Sequence, residues 1–431
     1  MREMKNSGVE WIGEIPADWK IVKVKQAFFR KNEKAQQENP VVLSLARSGV
    51  KVRDITANEG QIAESYYNYN PVSIGDLLLN PMDLYSGANC SISKVEGVIS
   101  PAYANLRSKE GYFSNFYDYY FKVQYWMMVL FAHGKGVSFD NRWTLTNETL
   151  MNFPVVAPSL DEQHRIADFL DEKCAKIDAV IEKQKQAIEK LKEYKLSVIT
   201  EAVTKGLDPT VPMKDSGVEW IGEIPEGWKL TKIKNFIKLI ESGVSVNAGQ
   251  NEASTGELGV LKTSSVSKFV FDVHENKSVN KDEENRVSCP VKANTIIVSR
   301  MNTPDLVGAC GYVDKDYNNI FLPDRLWQVH FIDGIVVKFI WYYLRSNSVR
   351  NYISSLSTGT SSSMQNISQG QFCNTLLLIP PIEEQSKIID ILDKKCNGID
   401  FAIYKKQAII EKLTEYKKSL IYEVVTGKRE V

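Results

Sequence analysis

Four polar, glycine-bearing loops hold the side chains of this sequence best suited to chemistry. Residues 80–91 read NPMDLYSGANCS and residues 134–143 read GKGVSFDNRW. Residues 299–308 read SRMNTPDLVG and residues 357–366 read STGTSSSMQN. The candidate site residues are Asn80, Asp83 and Tyr85 in the first loop and Lys135, Ser138, Asn141 and Arg142 in the second. Arg300, Asn302 and Asp305 follow in the third, and Ser361, Gln365 and Asn366 in the fourth. The chemistry they suit is recognition, because Arg, Lys, Asn, Gln, Ser and Asp hydrogen-bond to base edges and phosphates. The same types are ordinary turn-formers, so each residue has a structural reading beside the functional one.

Catalysis is not spelled out. The chain has no G-x-G-x-x-G, no P-loop and no H-E-x-x-H, so the usual phosphate cradles and zinc-protease ligands are missing. Asn80-Pro81-Met82-Asp83 only superficially echoes the N-P-P-Y type of tetrad used in adenine methylation. Pro304-Asp305 and Pro323-Asp324 lack a following D/E-x-K at nuclease-like spacing. Six cysteines (Cys90, Cys174, Cys289, Cys310, Cys373, Cys396) stand without C-x-x-C spacing, and there are only four histidines. That argues against a zinc site and against a disulfide framework, and no metal site is expected.

The elements that position these loops are visible as a repeat. Residues 4–16 (MKNSGVEWIGEIP) recur at 213–225 (MKDSGVEWIGEIP), an offset of 209. Residues 162–203 correspond to 384–425 at an offset of 222, so the second copy is longer between the markers. The stretches between, about 20–150 and 229–370, hardly resemble each other. Under the offset of 222 the Gly134–Trp143 loop falls opposite Leu356–Gln365, which predicts one scaffold with two sets of loops. The chain is therefore a tandem duplication of a variable module and a near-constant segment.

The near-constant segments carry apolar residues stepped by four and three. Ile177, Ile181, Gln184, Ile188 and Leu191 mark the first seam, and Ile399, Ile403, Lys406, Ile410 and Leu413 the second. A 3.5-residue repeat held over several heptads predicts two long helices that pair. Each would run about 44 residues, roughly 65 Å at 1.5 Å per residue. Ser159 and Glu162 form a capping-box candidate at the first start, and Lys205-Gly206 closes it. The linker, residues 204–213, reaches on the order of 35 Å when extended. It cannot return along the helix, so paired helices run antiparallel with a module at either end. The polar seam residues Gln184, Lys195, Lys406 and Lys417 are expected to set register.

Each module mixes short β-rich runs, such as Val41-Val42-Leu43 and Ile296-Ile297-Val298, with a helix near 115–131 or 335–353. The fold class expected is α+β: two globular α+β domains, 1–158 and 207–380, with antiparallel coiled-coil helices at 159–206 and 381–431. Trp11, Trp19, Trp220 and Trp228 read as packing anchors. The tyrosine clusters Tyr66-Tyr67-Tyr69 and Tyr117-Tyr119-Tyr120 read as core.

Composition bounds the partners. The 431 residues are 43% hydrophobic and 25% charged, the balance of a globular chain. Basic and acidic residues number 53 each, and each of the four segments comes within one charge of neutral. Any nucleic-acid face must then be a local patch, and two recur: Lys20, Lys23, Lys25, Arg30 and Lys31, and Lys229, Lys232, Lys234 and Lys238. Alone, such a chain binds DNA weakly and in a salt-sensitive way. No run approaches the roughly 18 apolar residues of a membrane span. The start MREMKNSGVEW has no signal-peptide core, so the cytoplasm is the expected compartment.

The duplicated pattern closely resembles the specificity subunit of type I restriction-modification enzymes. E-I-P-x-x-W opens each half (Glu14 to Trp19, Glu223 to Trp228), and P-x-x-x-E-Q-x-x-I precedes each long helix (Pro158 to Ile166, Pro380 to Ile388). Residues 97–103 (GVISPAY), Ser299-Arg300-Met301-Asn302 and Asp324-Arg325-Leu326 are similar to the family too, and Arg325 joins the candidates. The resemblance covers essentially the whole chain. It implies two target recognition domains, each reading one half of an asymmetric split DNA site, with the helices as a ruler. It implies a non-catalytic chain without cofactors of its own. S-adenosylmethionine would belong to two methyltransferase subunits, and ATP and Mg²⁺ to restriction and translocase subunits. The alternatives are the specificity subunit of a fused restriction-methyltransferase system, an unrecognised enzyme in a variable module, or a coiled-coil adaptor without DNA specificity.

Overall fold

The computed structural model describes residues 2–56, 63–85, 87–136, 143–361 and 364–431. The chain divides into two compact units, Met1–Lys185 with Ala408–Val431, and Gln186–Gln407. Both boundaries fall inside long helices, Leu160–Lys205 of 46 residues and Ile382–Val425 of 44 residues. Each helix therefore contributes half its length to each unit. The 3.5-residue pattern explains their persistence. Every seam residue from Ile177 to Leu191 and from Ile399 to Leu413 is buried or half-buried, with exposed charged residues between. Gly398 does not interrupt the second helix.

In the first unit a four-stranded antiparallel sheet runs Phe28–Arg30, Ala104–Ser108, Leu77–Leu79, Cys90–Ile92. Leu77, Leu78 and Leu79 are all buried, as a central strand covered on both faces demands. The helix Ser114–Trp126 buries Phe116, Tyr117, Tyr120 and Phe121 against this sheet's core. Ile166, Leu170 and Cys174 of the first long helix close that core together with Leu420, Ile421 and Val424 of the second. Lys417 Nζ bonds Asp178 at 2.6 Å, and Gly427 packs on Pro16 and Trp19 beside the start of the first helix, so the two segments run antiparallel.

The second unit repeats the scheme. Its sheet runs Ile237–Ser242, Leu326–Phe331, Thr295–Ser299, Cys310–Val313. The helix Val337–Leu344 packs Phe339, Ile340 and Tyr343 with Ile199, Val203, Ile388 and Leu392 of the long helices. Lys195 bonds Asp400 at 2.6 Å, the counterpart of Lys417 with Asp178, again in antiparallel sense. Exposed pairs of this kind contribute only about 0–1 kcal/mol, so they select a register rather than hold the helices together. The second unit adds a second four-stranded sheet, Asn276–Ser278, Gly259–Leu261, Tyr317–Phe321, Pro290–Val291, with one parallel pairing. All six cysteines are free thiols, and Cys174 and Cys396 are buried where the long helices meet the modules.

Two expectations change. Tyr117 and Tyr120 are fully buried, but Tyr67 is exposed, and Tyr66 and Tyr69 stack edge-on 5.1 Å apart at a half-buried turn. That trio precedes a two-stranded ribbon, Asn70–Val72 with Gly97–Ile99, whose small core is filled by Val72 and Ile99 with Leu43, Leu45 and Leu78. The capping box at Ser159 forms by half. Ser159 Oγ accepts from the Glu162 N–H at 3.3 Å, while the Glu162 carboxylate turns to Trp19 and Arg2.

Candidate nucleic-acid interface

The repeated motifs turn out to be joints of one frame. In the first unit the buried Trp19 indole N–H donates to Glu162 Oε2 at 3.0 Å. Gln163 Oε1 accepts from the Phe113 N–H at 2.8 Å at the start of the helix Ser114–Trp126, and Gln163 Nε2 donates to Pro158 O at 3.0 Å. In the second unit Trp228 donates to Glu384 at 3.2 Å, and Gln385 accepts from the Val336 N–H at 3.0 Å and donates to Pro380 O at 2.9 Å. A glutamine that answers one orphan donor at a helix start and one loop carbonyl fixes the module helix on the long helix. Tyr119 to Asp171 (2.6 Å) and Tyr342 to Asp393 (2.7 Å) lock the same pair one turn and a half further on. In both units the module ribbon is in the same register, Lys20 opposite Ala157 and Lys229 opposite Ile379.

On this frame the candidate loops converge in pairs. In the second unit the strand Met301–Asn302 pairs with Met364–Asn366, placing Met301 opposite Asn366 and Asn302 opposite Gln365. The strand Thr358–Ser361 lies on the other side of Met364–Asn366. Arg300 donates its N–H to Arg325 O at 3.1 Å, and its own carbonyl accepts from Ile367 N–H at 2.9 Å. Arg300, Asn302, Arg325, Gln365 and Asn366, drawn from three distant segments, thus share one small platform. Asn302 is tied locally, accepting from Thr303 N–H at 2.9 Å and reaching Ser299 Oγ at 3.4 Å. The Arg300 Nε and the Asn366 Oδ1 are buried and unpaired among the described residues. Asp305 and Arg325 are exposed. Ser361 ends its strand.

The first unit brings its two loops together by other means. Leu145 N–H donates to Pro81 O at 2.8 Å, Trp143 Nε1 donates to Phe131 O at 2.8 Å, and Lys135 and Thr144 exchange both backbone bonds. By the offset of 222, Lys135 and Thr144 correspond to Ser357 and Asn366, next to the Thr358–Asn366 pair of the second unit. Tyr85 is 75% exposed with its ring 5.8 Å from Phe131, a flat apolar surface suited to stacking. Lys135 is exposed and Asp83 half-buried. Asn80 is spent inside the fold: its Oδ1 accepts from Met82 N–H at 3.0 Å and its carbonyl from Tyr125 OH at 2.6 Å. Ser138, Asn141 and Arg142 lie outside the described residues.

The basic patches divide. Lys20, Lys23 and Lys25 are exposed, as are Lys229, Lys232, Lys234 and Lys238. Lys31 is drawn in to Asp76 at 3.2 Å, and Arg30 bonds Asn147. Among the described residues no three His, Cys, Asp or Glu side chains gather as a metal set, and no helix is long and apolar enough to cross a membrane. Sequence reading missed the roles of Gln163 and Gln385, although their repetition in P-x-x-x-E-Q was the available signal.

The family model for the type I restriction modification DNA specificity domain matches residues 225–412. Over those residues the chain carries a type I restriction DNA specificity domain. It is 23% identical over 311 residues to the Type I restriction enzyme EcoKI specificity subunit of Escherichia coli, a match spanning 72% of this chain and 61% of that one. It is 24% identical to the MjaVIII specificity subunit of Methanocaldococcus jannaschii over 96% of this chain and 93% of that one. A chain solved in work on complex assembly and conformational transition of the type I R-M system has the same fold, with a TM-score of 0.70 at 14% identity, covering 96% of this chain and 99% of that one. The motifs repeated in the sequence are thus the Trp–Glu and Gln joints, on which the two units carry unlike platforms.

Proposed function

We propose that this chain is the DNA-reading subunit of a type I restriction-modification complex and is itself non-catalytic. Each module reads one half of a bipartite, asymmetric site, and the long helices set the spacing of the halves. Two methyltransferase subunits holding S-adenosylmethionine would modify adenines at that site, and restriction subunits using ATP and Mg²⁺ would cleave. The observation that carries this reading is the repeated frame bearing two unlike polar platforms, built from Arg300, Asn302, Gln365 and Asn366 in one unit and Tyr85 and Lys135 in the other. Side chains of these types answer base edges and stack on bases. Near-neutral charge fits a subunit whose affinity is completed by partners.

The test is selection of bound duplexes from a random library by the chain assembled with its methyltransferase subunits. The expected product is one split motif with two unlike halves. Enrichment of a single contiguous motif, or of none, would reject the proposal.

A further inference from the structure

The frame lets the two units be compared position by position on their module helices. Phe113 and Val336 are the capped starts, and Tyr119 and Tyr342, each six residues on, make the same bond to Asp171 and Asp393. Lys122 therefore corresponds to Arg345, and Asp118 to Trp341. In the first unit the cation has a built-in counter-ion, since Lys122 Nζ donates to the buried Asp118 Oδ2 at 2.5 Å. In the second unit that acid is replaced by an indole. The Arg345 guanidinium lies 4.3 Å over the Trp341 ring and 5.6 Å from that of Tyr342, and it takes no hydrogen bond or ion pair among the described residues. The nearby acid, Asp400, is already held by Lys195 at 2.6 and 2.8 Å.

Arg345 faces a cleft of about 710 Å³. A second arginine lines it: Arg350 lies over Phe269 at 4.9 Å and donates Nη2 to the carbonyls of Asp305 and Val307 at 3.2 and 2.8 Å. Its Nη1 is buried without a partner. Gly308 leaves the room for this side chain, with φ at +71°, because a Cβ there would meet Ile353 at 2.6 Å and the Arg350 Nη1 at 3.1 Å. Lys192, Lys195 and Lys268 add three more cations to the wall, against the two acids Asp305 and Asp400. Burial holds both guanidinium groups below their usual pKa, although Asp400 beside Arg345 and Asp305 beside Arg350 pull the other way. In the corresponding cleft of the first unit, which Arg47 and Lys418 also line, the two innermost cations are paired, Lys122 with Asp118 and Lys417 with Asp178.

We propose that this cleft of the second unit is a phosphate-binding site, in which Arg345 and Arg350 hold the oxyanion. Guanidinium forks match phosphate oxygens in a bidentate way and tolerate desolvation better than ammonium groups do. The aromatic floor of Phe269 and Trp341 keeps the forks flat and orients their donors. The phosphate belongs either to a small phosphorylated molecule or to the backbone of bound DNA.

The probe is pyrophosphate, titrated into the full chain at constant ionic strength and read by thermal shift. A saturable rise in melting temperature is expected. Arg345→Gln and Arg350→Gln should weaken the apparent affinity at least tenfold, and Trp341→Asp, which imports the first unit's counter-ion, should do the same. Arg286→Gln, at a surface pair with Glu283, should change nothing. Should the cleft variants fail to fold, phenylglyoxal labelling of the native chain decides: pyrophosphate should protect Arg345 and Arg350 and leave Arg286 labelled. A short duplex that displaces pyrophosphate assigns the phosphate to DNA; one that does not assigns it to a small molecule. No saturable response, or equal response in every variant together with no protection, overturns the proposal.

Discussion

The two units are held by the same joints and differ in what those joints display. Trp19 with Glu162 and Gln163, and Trp228 with Glu384 and Gln385, are matching assemblies down to the atoms bonded. Above them one unit builds a three-stranded platform from Met301–Asn302, Met364–Asn366 and Thr358–Ser361, and the other builds a loop pair around Tyr85 and Trp143. A second four-stranded sheet appears in only one of them among the described residues. The difference teaches where information can vary. Buried, hydrogen-bonded joints constrain both partners at once, whereas an exposed strand tip can change its side chains without disturbing the core.

The comparison is broken most severely by exchanging a module. Replacing residues 20–150 with those of a related subunit is expected to replace one half-site completely and leave the other untouched. Loss of both half-sites in a folded hybrid would contradict the independence of the units.

A smaller effect comes from cutting a joint. Trp19→Ala or Trp228→Ala should cost about 3–5 kcal/mol, because each removes a buried indole and orphans a carboxylate. Denaturant unfolding should show the loss in the mutated unit, and a cost below about 1 kcal/mol would deny the joint its role.

The joints differ in one respect that can be measured. Glu162 serves both Trp19 and Arg2, and Arg2 also holds Asp18 at 2.6 Å, keeping that carboxyl below its usual range. Glu384 serves only the Trp228 indole among the described residues. Bonds to charged groups contribute about 1.5–3 kcal/mol against roughly 1 for neutral ones. Glu162→Gln should therefore cost more than Glu384→Gln, by about 1 kcal/mol. Equal costs would show that Arg2 adds nothing.

The smallest effect concerns thiols. Cys90 in the first unit is buried, while Cys289 in the second is half-exposed. Burial, reinforced by Glu241, pushes Cys289 up to about 12, and burial raises Cys90 further above the thiol range. A thiol so raised is protonated throughout the neutral range, and its reactivity climbs tenfold per pH unit until it ionises near its own pKa. At pH 8 Cys289 should be alkylated about a thousandfold more slowly than a free thiol of pKa near 8.5. Rapid labelling of Cys289 in the folded chain would contradict this.

The helices were the most legible part of the sequence, because a seam such as Ile177, Ile181, Ile188 and Leu191 is a local period. The joints were legible only as repetition. Trp19 and Glu162 stand 143 residues apart, and nothing in either motif names the other as its partner. The platforms were legible as residue types, not as neighbours. Pairing Asn302 with Gln365 depends on the fold carrying two loops to one edge. Asn80 shows the opposite failure. Its side chain satisfies the turn at Met82, the local bond for which Asn is suited. The aromatic run at Tyr66–Tyr69 was read from composition, and the core beside it is filled by aliphatic side chains such as Val72 and Ile99.

The central claim, that this chain chooses where DNA is modified, is tested most directly by long-read mapping of adenine methylation. The gene is expressed with active methyltransferase subunits in a cell lacking other adenine methylation, and the map is repeated with the gene deleted. The account predicts a split motif with two unlike halves, methylated only when this chain is present. Methylation that is unchanged by the deletion, or that falls on one contiguous motif, would contradict it.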